Sequence, residues 1–433
     1  MKKKQKIFSK KKILIYGLGK TGVSSHLFLK KNNETLLFDD IKKNLIINKK
    51  FFINKKKIYK YNFDYILVSP GINIRKCSLK KYLSKNLNKV ITDLDIFYSH
   101  YFKNKIISIT GTNGKSTTAQ ILFEVLKDQK KDVRLVGNIG NPILNEKKVT
   151  PKTIFVIEAS SYQLEYSKIF KANYAAILNI SPDHIERHGN LNNYVKSKFK
   201  LIKSQDKEDL SFLDFKNKYL KKFLKQNKLK SKMINVHKKL YSENIAKIKN
   251  PYFFTNGNKQ NLSFVCAISK KLGIRQSQLL KTINKFKGLN FRQQVIYKNK
   301  NFKVINDSKA TSFSSTINIL ESLNKVHWLL GGIPKSGDNF YMGKKKCINF
   351  KAYIYGKNKN HFIKILKNKI RYESFRNLES ALKKTIYDIK NEKSQIDNTI
   401  LFSPSAASFD SYKNFEDRGK KFNELFKKIY LNK

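Results

Sequence analysis

With 433 residues, 40% of them hydrophobic, the chain can support two or three domains, and no run reaches the ~18 consecutive apolar residues of a membrane-spanning helix. The net charge of +59 would suit a nucleic-acid partner, but the lysines are dispersed along the whole chain and accompany abundant Asn and Ile. Because these three amino acids share A/T-rich codons, codon bias is the favoured explanation, and neither a nucleic-acid partner nor membrane insertion is expected.

The compartment can be inferred from the N-terminus and the cysteines. The basic start resembles that of a signal peptide, but its apolar run "ILIYGL" is short and no small-residue cleavage site follows, so we interpret it as a first β-strand. Cys77, Cys266 and Cys347 lie far apart and in no metal-ligand spacing, which argues against a disulfide framework and against a zinc site. This pattern favours a reducing compartment, and a cytoplasmic protein is expected.

The segment "GLGKTG" (17–22) fits the pattern G-x-G-x-x-G between a predicted strand and a predicted helix. Asp39 and Asp40 end the next strand, roughly 20 residues further on, where an acid can hold a ribose hydroxyl. The pattern is typical of dinucleotide binding and would suit a nicotinamide oxidoreductase, but it does not identify the nucleotide. A tight turn without a ligand is the alternative.

The segment "GTNGKSTT" (111–118) follows the strand-like run "KIISIT" and precedes apolar residues at helical spacing. A strand, a glycine-rich turn and a helix N-terminus together form a cradle for phosphate. In such a loop Lys115 would contact the terminal phosphates of a nucleoside triphosphate, and Ser116 would ligate Mg²⁺. The strict P-loop pattern, however, requires a glycine where this chain has Ile109.

Further polar clusters follow other strand-like runs of the chain. They are "EASSYQLE", "SPDHIERH", "NDSKAT", "GGIPKSGD" and "SPSAASFD". The repeated order of strand, loop and helix predicts an α/β architecture with mostly parallel sheets. Ligands of such sheets bind beyond the carboxyl ends of the strands, so the clusters indicate binding sites rather than packing.

Several single residues remain ambiguous on pattern alone. Glu158 is either a surface acid or a second Mg²⁺ contact, and His184 is a metal ligand, a substrate contact or a structural histidine. His184 and His188 do not fit a helical zinc pair, because Pro182 and Gly189 flank them and no glutamate follows the first histidine. Lys309 and Lys335 are distinguished only by position, and residues 205–250 carry no usable motif.

Together, and in this order over nearly the whole chain, these motifs resemble those of the Mur ligases, the ATP-dependent amino-acid-adding enzymes of peptidoglycan synthesis. The segments that carry the resemblance also include "GNIG" (137–140), "DHIERHGNLNNYVKSK" (183–198) and "LLGG" (329–332). The family has its own phosphate-loop variant, "TGTNGKST", which accounts for Ile109. The resemblance implies an α/β fold of three domains: an N-terminal Rossmann-like UDP-binding domain (1–97), a central P-loop ATPase-type domain (98–288) and a C-terminal Rossmann-like, amino-acid-binding domain (289–433).

Residues 403–419, "SPSAASFDSYKNFEDRG", point to the family member that adds D-glutamate to UDP-N-acetylmuramoyl-L-alanine. A sister ligase that adds a different amino acid is the nearest alternative. The resemblance changes the expected ligand of "GLGKTG" from NAD to a UDP-sugar. Two other classes are less satisfactory, because a nicotinamide oxidoreductase leaves the phosphate loop unexplained and a nucleic-acid-binding ATPase lacks an aromatic RNA-binding signature.

The resemblance assigns roles residue by residue. The UDP-substrate would be bound by Thr21, Asp39, Ser69, Gly71 and Asn138. ATP would be bound by Gly111, Thr112, Asn113, Gly114, Lys115, Ser116, Thr117, Asn258, Arg292 and Asp307, with Lys309 near the phosphate. D-Glutamate would be bound by Thr311, Lys335, Ser408 and Phe415. Two Mg²⁺ ions would be held by Ser116 with Glu158 and by His184 with a carbamylated Lys198, and the catalytic residues would be Lys115, His184 and Lys198.

The resemblance further implies an acyl-phosphate intermediate, closure of the third domain to bring the amine, and a monomer with only small-molecule substrates. The chain departs from the family at three places. "TNGN" (255–258) lacks the usual histidine, Gln293 and Gln294 follow Arg292 where an acid is common, and Ile333 and Pro334 replace small polar residues. These departures concern the adenine pocket and one loop rather than the reaction.

Overall fold

The computed structural model describes residues 7–41, 47–237, 247–335, 337–392 and 398–431. They form two compact units: Met1–Lys247 with Asn261–Ile283, and Ile248–Gln260 with Asn284–Lys433. The first unit contains two sheets and the second contains one. Among the described residues, no helix is both long and apolar enough to cross a membrane. The three-domain limits inferred above stay predictions.

The first sheet has four parallel strands in the order β2-β1-β3-β4. Its strands are β1 (Lys12–Tyr16), β2 (Glu34–Phe38), β3 (Tyr65–Val68) and β4 (Val90–Ile91), and its helices are α1 (Lys20–Leu29), α2 (Lys55–Ile58), α3 (Lys80–Lys85) and α4 (Asp93–Tyr101). The four apolar residues of β1 after Lys12 are all buried, because the central strand of a parallel sheet is covered on both faces. The prediction of a strand at "ILIYGL" is confirmed.

The second sheet has six parallel strands in the order β10-β9-β8-β5-β7-β6. Its strands are β5 (Lys105–Thr110), β6 (Val133–Gly137), β7 (Ile154–Glu158), β8 (Tyr174–Ile177), β9 (Leu210–Leu213) and β10 (Lys232–Asn235). The helices from here to residue 285 are α5 (Lys115–Asp128), α6 (Ser161–Tyr166), α7 (Ile185–His188), α8 (Leu191–Lys203), α9 (Lys218–Gln226), α10 (Asn256–Lys271) and α11 (Gln276–Lys285). The phosphate loop leaves the central region of this sheet, between β5 and α5.

The third sheet has the order β11-β12-β16-β13-β14-β15, with only the edge strand β11 antiparallel. Its strands are β11 (Gln294–Lys298), β12 (Phe302–Asn306), β13 (Lys325–Leu330), β14 (Phe350–Tyr355), β15 (Arg371–Phe375) and β16 (Asn398–Phe402). Its helices are α12 (Phe313–Leu320), α13 (Lys359–Leu366), α14 (Leu378–Lys390) and α15 (Phe415–Phe426). Two apolar clusters cover its two faces, which confirms the α/β class with mostly parallel sheets.

A buried carboxyl at the start of α4 gives the first unit a pH-dependent stability. Asp93 is 3% exposed, and the side-chain nitrogen of Gln163 contacts both of its oxygens at 3.2 and 3.1 Å. Burial raises the pKa of Asp93 from 3.8 to about 6, although Gln163 and the amide of Leu94 favour the carboxylate. The stability that the protonated group contributes is therefore fully present below pH ~4 and is lost as the pH rises through ~6.

We expect the wild type to lose about 1 kcal/mol of stability relative to Asp93→Asn between pH 5 and pH 8, because only the wild type has this carboxyl to ionise. Urea unfolding of both proteins at the two pH values measures the difference. Glu208→Gln, which removes an exposed acid, is the matched control and should show no such change. An equal stability gap between wild type and Asp93→Asn at both pH values would contradict the assignment.

Candidate functional site

The phosphate loop has the backbone that its glycines predict. Gly111 and Gly114 have φ angles of +155° and +83°, and a side chain at Gly114 would also clash with Asn261. Gly114 caps α5, so the first amides of that helix face the loop. Asn179, two residues after β8, holds the loop. Its carbonyl accepts from the amide of Thr112 at 3.0 Å, and its side-chain oxygen accepts from the amide of Asn113 at 2.9 Å.

Lys115 and Ser116 are the first two residues of α5, directly after the glycine-rich loop. The ammonium of Lys115 lies over the loop and donates to the carbonyls of Gly111 and Thr112 at 3.0 and 2.8 Å. The hydroxyl of Ser116 donates to Oε2 of Glu158 at 2.6 Å, and the amide of Asn138 donates to Oε1 at 2.7 Å. The structure therefore brings Ser116, predicted to contact ATP and metal, and Asn138, predicted to contact the substrate, to the carboxylate of Glu158.

Lys198 is a buried lysine on α8 that reaches the same loop. It is 1% exposed, its Nζ donates to the carbonyl of Gly111 at 2.8 Å, and the Nζ lies 4.6 Å from the ring centre of Tyr194. Burial, reinforced by the charge of Lys115, lowers the pKa of Lys198 well below its usual value. The environment of Lys198 thus disfavours the ammonium form, and the neighbouring Lys196 is exposed.

His184 caps α7 with a left-handed backbone, at φ +55°. Its Nδ1 lies 2.8 Å from the hydroxyl of Tyr162, and its Nε2 lies 3.4 Å from Asp183. The rings of His184 and Tyr194 are 6.4 Å apart, so His184 and Lys198 both lie beside Tyr194. The short helix α7 was not expected from the flanking proline and glycine.

The loops that follow β1 and β3 are joined by a hydrogen bond between Ser69 and Gly17. Gly17 has φ +92°, and its carbonyl accepts from the hydroxyl of Ser69 at 2.5 Å. Asp39 accepts from the amides of Leu18 and Ile41 at 2.5 and 3.0 Å. The carbonyl of Thr21 accepts from Ser24 and Ser25 within α1, and Gly71 is exposed in the loop after β3. Asn138, the fifth residue predicted for the substrate, donates to Glu158 on the second sheet.

In the second unit, Gln293 is the centre of a network around the predicted ATP residues. Its backbone amide donates to Asp307 at 3.1 Å, and its side-chain oxygen accepts from Thr255 and Asn258 at 3.0 and 3.1 Å. Burial raises the pKa of Asp307 to about 7. Nη1 of Arg292 is buried without a hydrogen-bond partner in the described part of the chain, as expected of a group that awaits a ligand.

The predicted D-glutamate residues lie on neighbouring loops of the third sheet. Ile333 and Ala407 exchange two backbone hydrogen bonds of 2.9 Å, which places the segments of Lys335 and Ser408 side by side. The amide of Phe313 donates to Asp338 at 2.7 Å, which ties the segment of Thr311 to the same loop. Phe415 instead stacks against cations: its ring centre lies 4.0 Å from Nζ of Lys309 and 5.8 Å from the guanidinium of Arg292.

Arg418 supports this region, although the sequence motif did not single it out. It is 1% exposed and donates to the side chain of Ser308 at 3.1 Å and to the carbonyls of Ser308 and Ala406 at 2.7 and 2.9 Å. Its position in the quoted segment 403–419 was the only available signal. Tyr162, Tyr194 and Asn179 were also missed, because their roles depend on contacts between distant parts of the chain.

Comparison with known proteins gives a family match. The model of the Mur ligase middle domain matches residues 109–279. A relative from Rickettsia felis, named UDP-N-acetylmuramoylalanine--D-glutamate ligase, is 33% identical over 97% of this chain and 98% of its own length. A relative of the same name from Francisella tularensis subsp. novicida is 33% identical over 96% of this chain and 95% of its own length.

Solved structures share the fold. The MurF ligase from Thermotoga maritima, solved in complex with ADP, has a TM-score of 0.57 at 15% identity and covers 87% of this chain and 91% of its own. The MurC protein from Thermotoga maritima has a TM-score of 0.53 at 16% identity and covers 96% of this chain and 99% of its own. At these identities the likeness supports the fold and does not select a substrate.

Proposed function

The chain belongs to the Mur ligase family, and on that premise we propose that it adds D-glutamate to UDP-N-acetylmuramoyl-L-alanine as ATP is converted to ADP and phosphate. As a family member it is an ATP-dependent ligase of peptidoglycan precursor synthesis. The observation that carries the finer assignment is the 33% identity, along nearly the full length of both chains, to relatives named for D-glutamate addition. Sequence identity to the solved MurF and MurC structures is about half of that.

The described geometry is compatible with the ATP half of the proposed reaction. The backbone amides at the start of α5 would bind the phosphates, and Lys115 would contact the terminal phosphate. Asn258, Arg292 and Asp307 would bind the remainder of the nucleotide. Gln293, which occupies the place of the usual acid, already accepts from Asn258 and donates to Asp307, and can therefore support both.

The residues beside the phosphate loop fit a magnesium ion. The Ser116 hydroxyl and the Glu158 carboxylate, 2.6 Å apart, are the hard oxygen donors that Mg²⁺ prefers. A second ion would be held by His184 and Lys198, provided that Lys198 carries a carbamate. When bound, Mg²⁺ would neutralise phosphate charge. Among the described residues, no group of three His, Cys, Asp or Glu could hold a metal, and water, a carbamate, a hydroxyl and the substrate phosphates would supply the further ligands.

The proposed chemistry has two steps. A carboxylate oxygen of UDP-N-acetylmuramoyl-L-alanine attacks the γ-phosphorus of ATP, and the bond between that phosphorus and the bridging oxygen of the β-phosphate breaks. ADP is released, and the substrate becomes an acyl phosphate. The amine of D-glutamate then attacks the acyl carbon, loses a proton and displaces phosphate. Two anions ~4 Å apart repel by about 4 kcal/mol at an effective dielectric near 20, and the charge of Lys115 opposes that repulsion.

D-Glutamate would be bound by Thr311, Lys335, Ser408 and Phe415. The paired loops that carry Lys335 and Ser408 support this assignment for two of them. The stacking of Phe415 on Lys309 suggests that its ring orders the cation as well as the amino acid. UDP would be bound by Thr21, Asp39, Ser69 and Gly71, and Asn138 would hold the muramoyl-alanine arm.

We place the reaction in the cytoplasm and expect a monomer. Cys77 and Cys347 form no disulfide, and the three cysteines lie far apart in the sequence, which is usual for a protein in a reducing compartment. Both nucleotide substrates are small anions, and the high positive charge of the chain would favour their encounter.

We expect ADP release that requires UDP-N-acetylmuramoyl-L-alanine and D-glutamate together. Omitting either substrate in turn should reduce the rate to background, since the acyl phosphate needs the carboxylate and turnover needs the amine. A coupled ADP assay with each nucleotide sugar and each amino acid omitted measures this. Equal rates with L-alanine or L-lysine in place of D-glutamate would assign the chain to a sister ligase.

A further inference from the structure

Arg187 connects the loop after β3 to Tyr162, the residue that contacts His184. We call Ser69–Ile72 the UDP loop and Ser181–Gly189 the histidine loop. The buried Arg187 donates from Nη2 to the carbonyl of Pro70, in the UDP loop, at 3.3 Å. Its guanidinium carbon lies 4.7 Å from the ring centre of Tyr162, whose hydroxyl lies 2.8 Å from Nδ1 of His184. A single side chain therefore spans both loops.

Arg75 forms a second connection between the same regions. Its Nη1 donates to the backbone carbonyl of Arg187 at 3.4 Å, and its Nη2 lies 3.5 Å from Glu165. The other carboxylate oxygen of Glu165 lies 3.4 Å from Nδ1 of His188. His188 is fully buried, and its Nε2 lies 3.0 Å from the hydroxyl of Ser161 on α6. Both ends of α7 are thus tied to the arginine pair.

The backbone of the histidine loop needs such support. His184 has φ +55°, an unfavourable conformation for a residue with a Cβ, and Gly189 has φ +83°. A Cβ at Gly189 would lie 2.7 Å from Nη1 of Arg75, so the loop closes directly on that guanidinium. Burying Arg187 close to a second arginine is costly, and the Pro70 carbonyl, the Tyr162 ring and the charge of Glu165 offset part of that cost. Simple packing would be served better by an apolar residue.

We propose that Arg75 and Arg187 are positioning residues that couple binding in the UDP loop to the placement of His184. This inference rests on the proposed function, which assigns the UDP loop to the nucleotide-sugar substrate. A ligand that fixes Ser69 and Gly71 also fixes the Pro70 carbonyl between them. That carbonyl holds the guanidinium of Arg187 against Tyr162, and Tyr162 in turn orients the imidazole of His184.

The test compares three variants in the ADP-release assay, with KM determined for each substrate. Arg75→Ala removes a side chain that is 43% exposed, so it leaves little cavity. We expect Arg75→Ala to raise KM for UDP-N-acetylmuramoyl-L-alanine and to lower kcat, each by ~5-fold, with KM for ATP unchanged. Arg187→Lys keeps the charge but loses the planar fork and its stacking, and should show the same pattern more strongly. Lys76→Ala, at the exposed neighbouring position, is the matched control and should behave as wild type.

The outcomes separate coupling from simple destabilisation. If the variants have a lower thermal unfolding midpoint and a raised KM for all three substrates together, the arginines have only a structural role, and the proposal is overturned. Wild-type constants for both variants in an active enzyme would also overturn it, and would leave the proposed function intact. If the wild type itself releases no ADP with these substrates, the proposed function fails and the coupling fails with it.

Discussion

Replacing Lys198 with alanine is expected to lower ligase activity by at least ~100-fold, an effect of the size found when a ligand-supporting or charge-stabilising group is removed. Lys196→Ala, two residues away on the exposed face of α8, should stay near wild type. The ADP-release rate at saturating substrates measures both variants. Their thermal unfolding midpoints show whether Lys198→Ala is still folded when it is assayed.

The reason is that carbamylation would change the charge of the Lys198 side chain from positive to negative. As an ammonium, Lys198 would repel any Mg²⁺ near His184, whereas a carbamate made from CO₂ would be a two-oxygen anionic ligand suited to a hard cation. Carbamylation requires the neutral amine. Burial and the charge of Lys115 lower the pKa of Lys198 well below its usual value, which favours that form.

Chemical rescue distinguishes the carbamate from a plain cation. Formate or acetate added to Lys198→Ala should restore part of the rate, because a small carboxylate can replace the two lost oxygens. Small amines should not. Rescue by amines instead, or a high-resolution map of the wild type without density beyond Nζ, would mean that Lys198 acts on phosphate as an ammonium.

Local patterns predicted much of the fold. The strands around "KIISIT", "TIFVI" and "TILF" were predicted because buried parallel strands read as continuous apolar runs. The turn glycines at Gly111 and Gly114 were predicted because only glycine takes their backbone angles at no cost. In such cases a few neighbouring residues are enough to show that a strand must be buried or that a turn needs a glycine.

Other parts depend on contacts that a local pattern does not contain. Strands β9 and β10 lie in the lysine- and asparagine-rich stretch that gave no motif, where their four-residue length leaves little periodicity to detect. Gln205 supports β9 from outside the strand, since its side-chain amide donates to the carbonyls of Leu210 and Ala172 at 3.1 and 2.8 Å. The resemblance selected Lys198 among its neighbours, whereas pattern alone could not, because burial is decided by tertiary packing.

Glu158→Gln is expected to lower kcat by ~100-fold and to raise the Mg²⁺ concentration needed for half-maximal rate, because the neutral amide removes an anionic oxygen from the proposed metal site. Glu158 is 1% exposed and already accepts from Ser116 and Asn138, so the isosteric change should keep the fold. Titration of the ADP-release rate with MgCl₂ at fixed ATP gives both quantities.

The outcome depends on whether Glu158 binds metal or only orders its neighbours. If it binds metal, high Mg²⁺ should recover part of the lost rate, and Glu208→Gln, which removes an exposed acid, should leave the Mg²⁺ dependence unchanged. If Glu158 only orients Ser116 and Asn138, the rate should fall without a shift in the Mg²⁺ midpoint. The second result would contradict the ligand assignment, since a hydrogen bond between Ser116 and residue 158 can survive the substitution while the negative charge cannot.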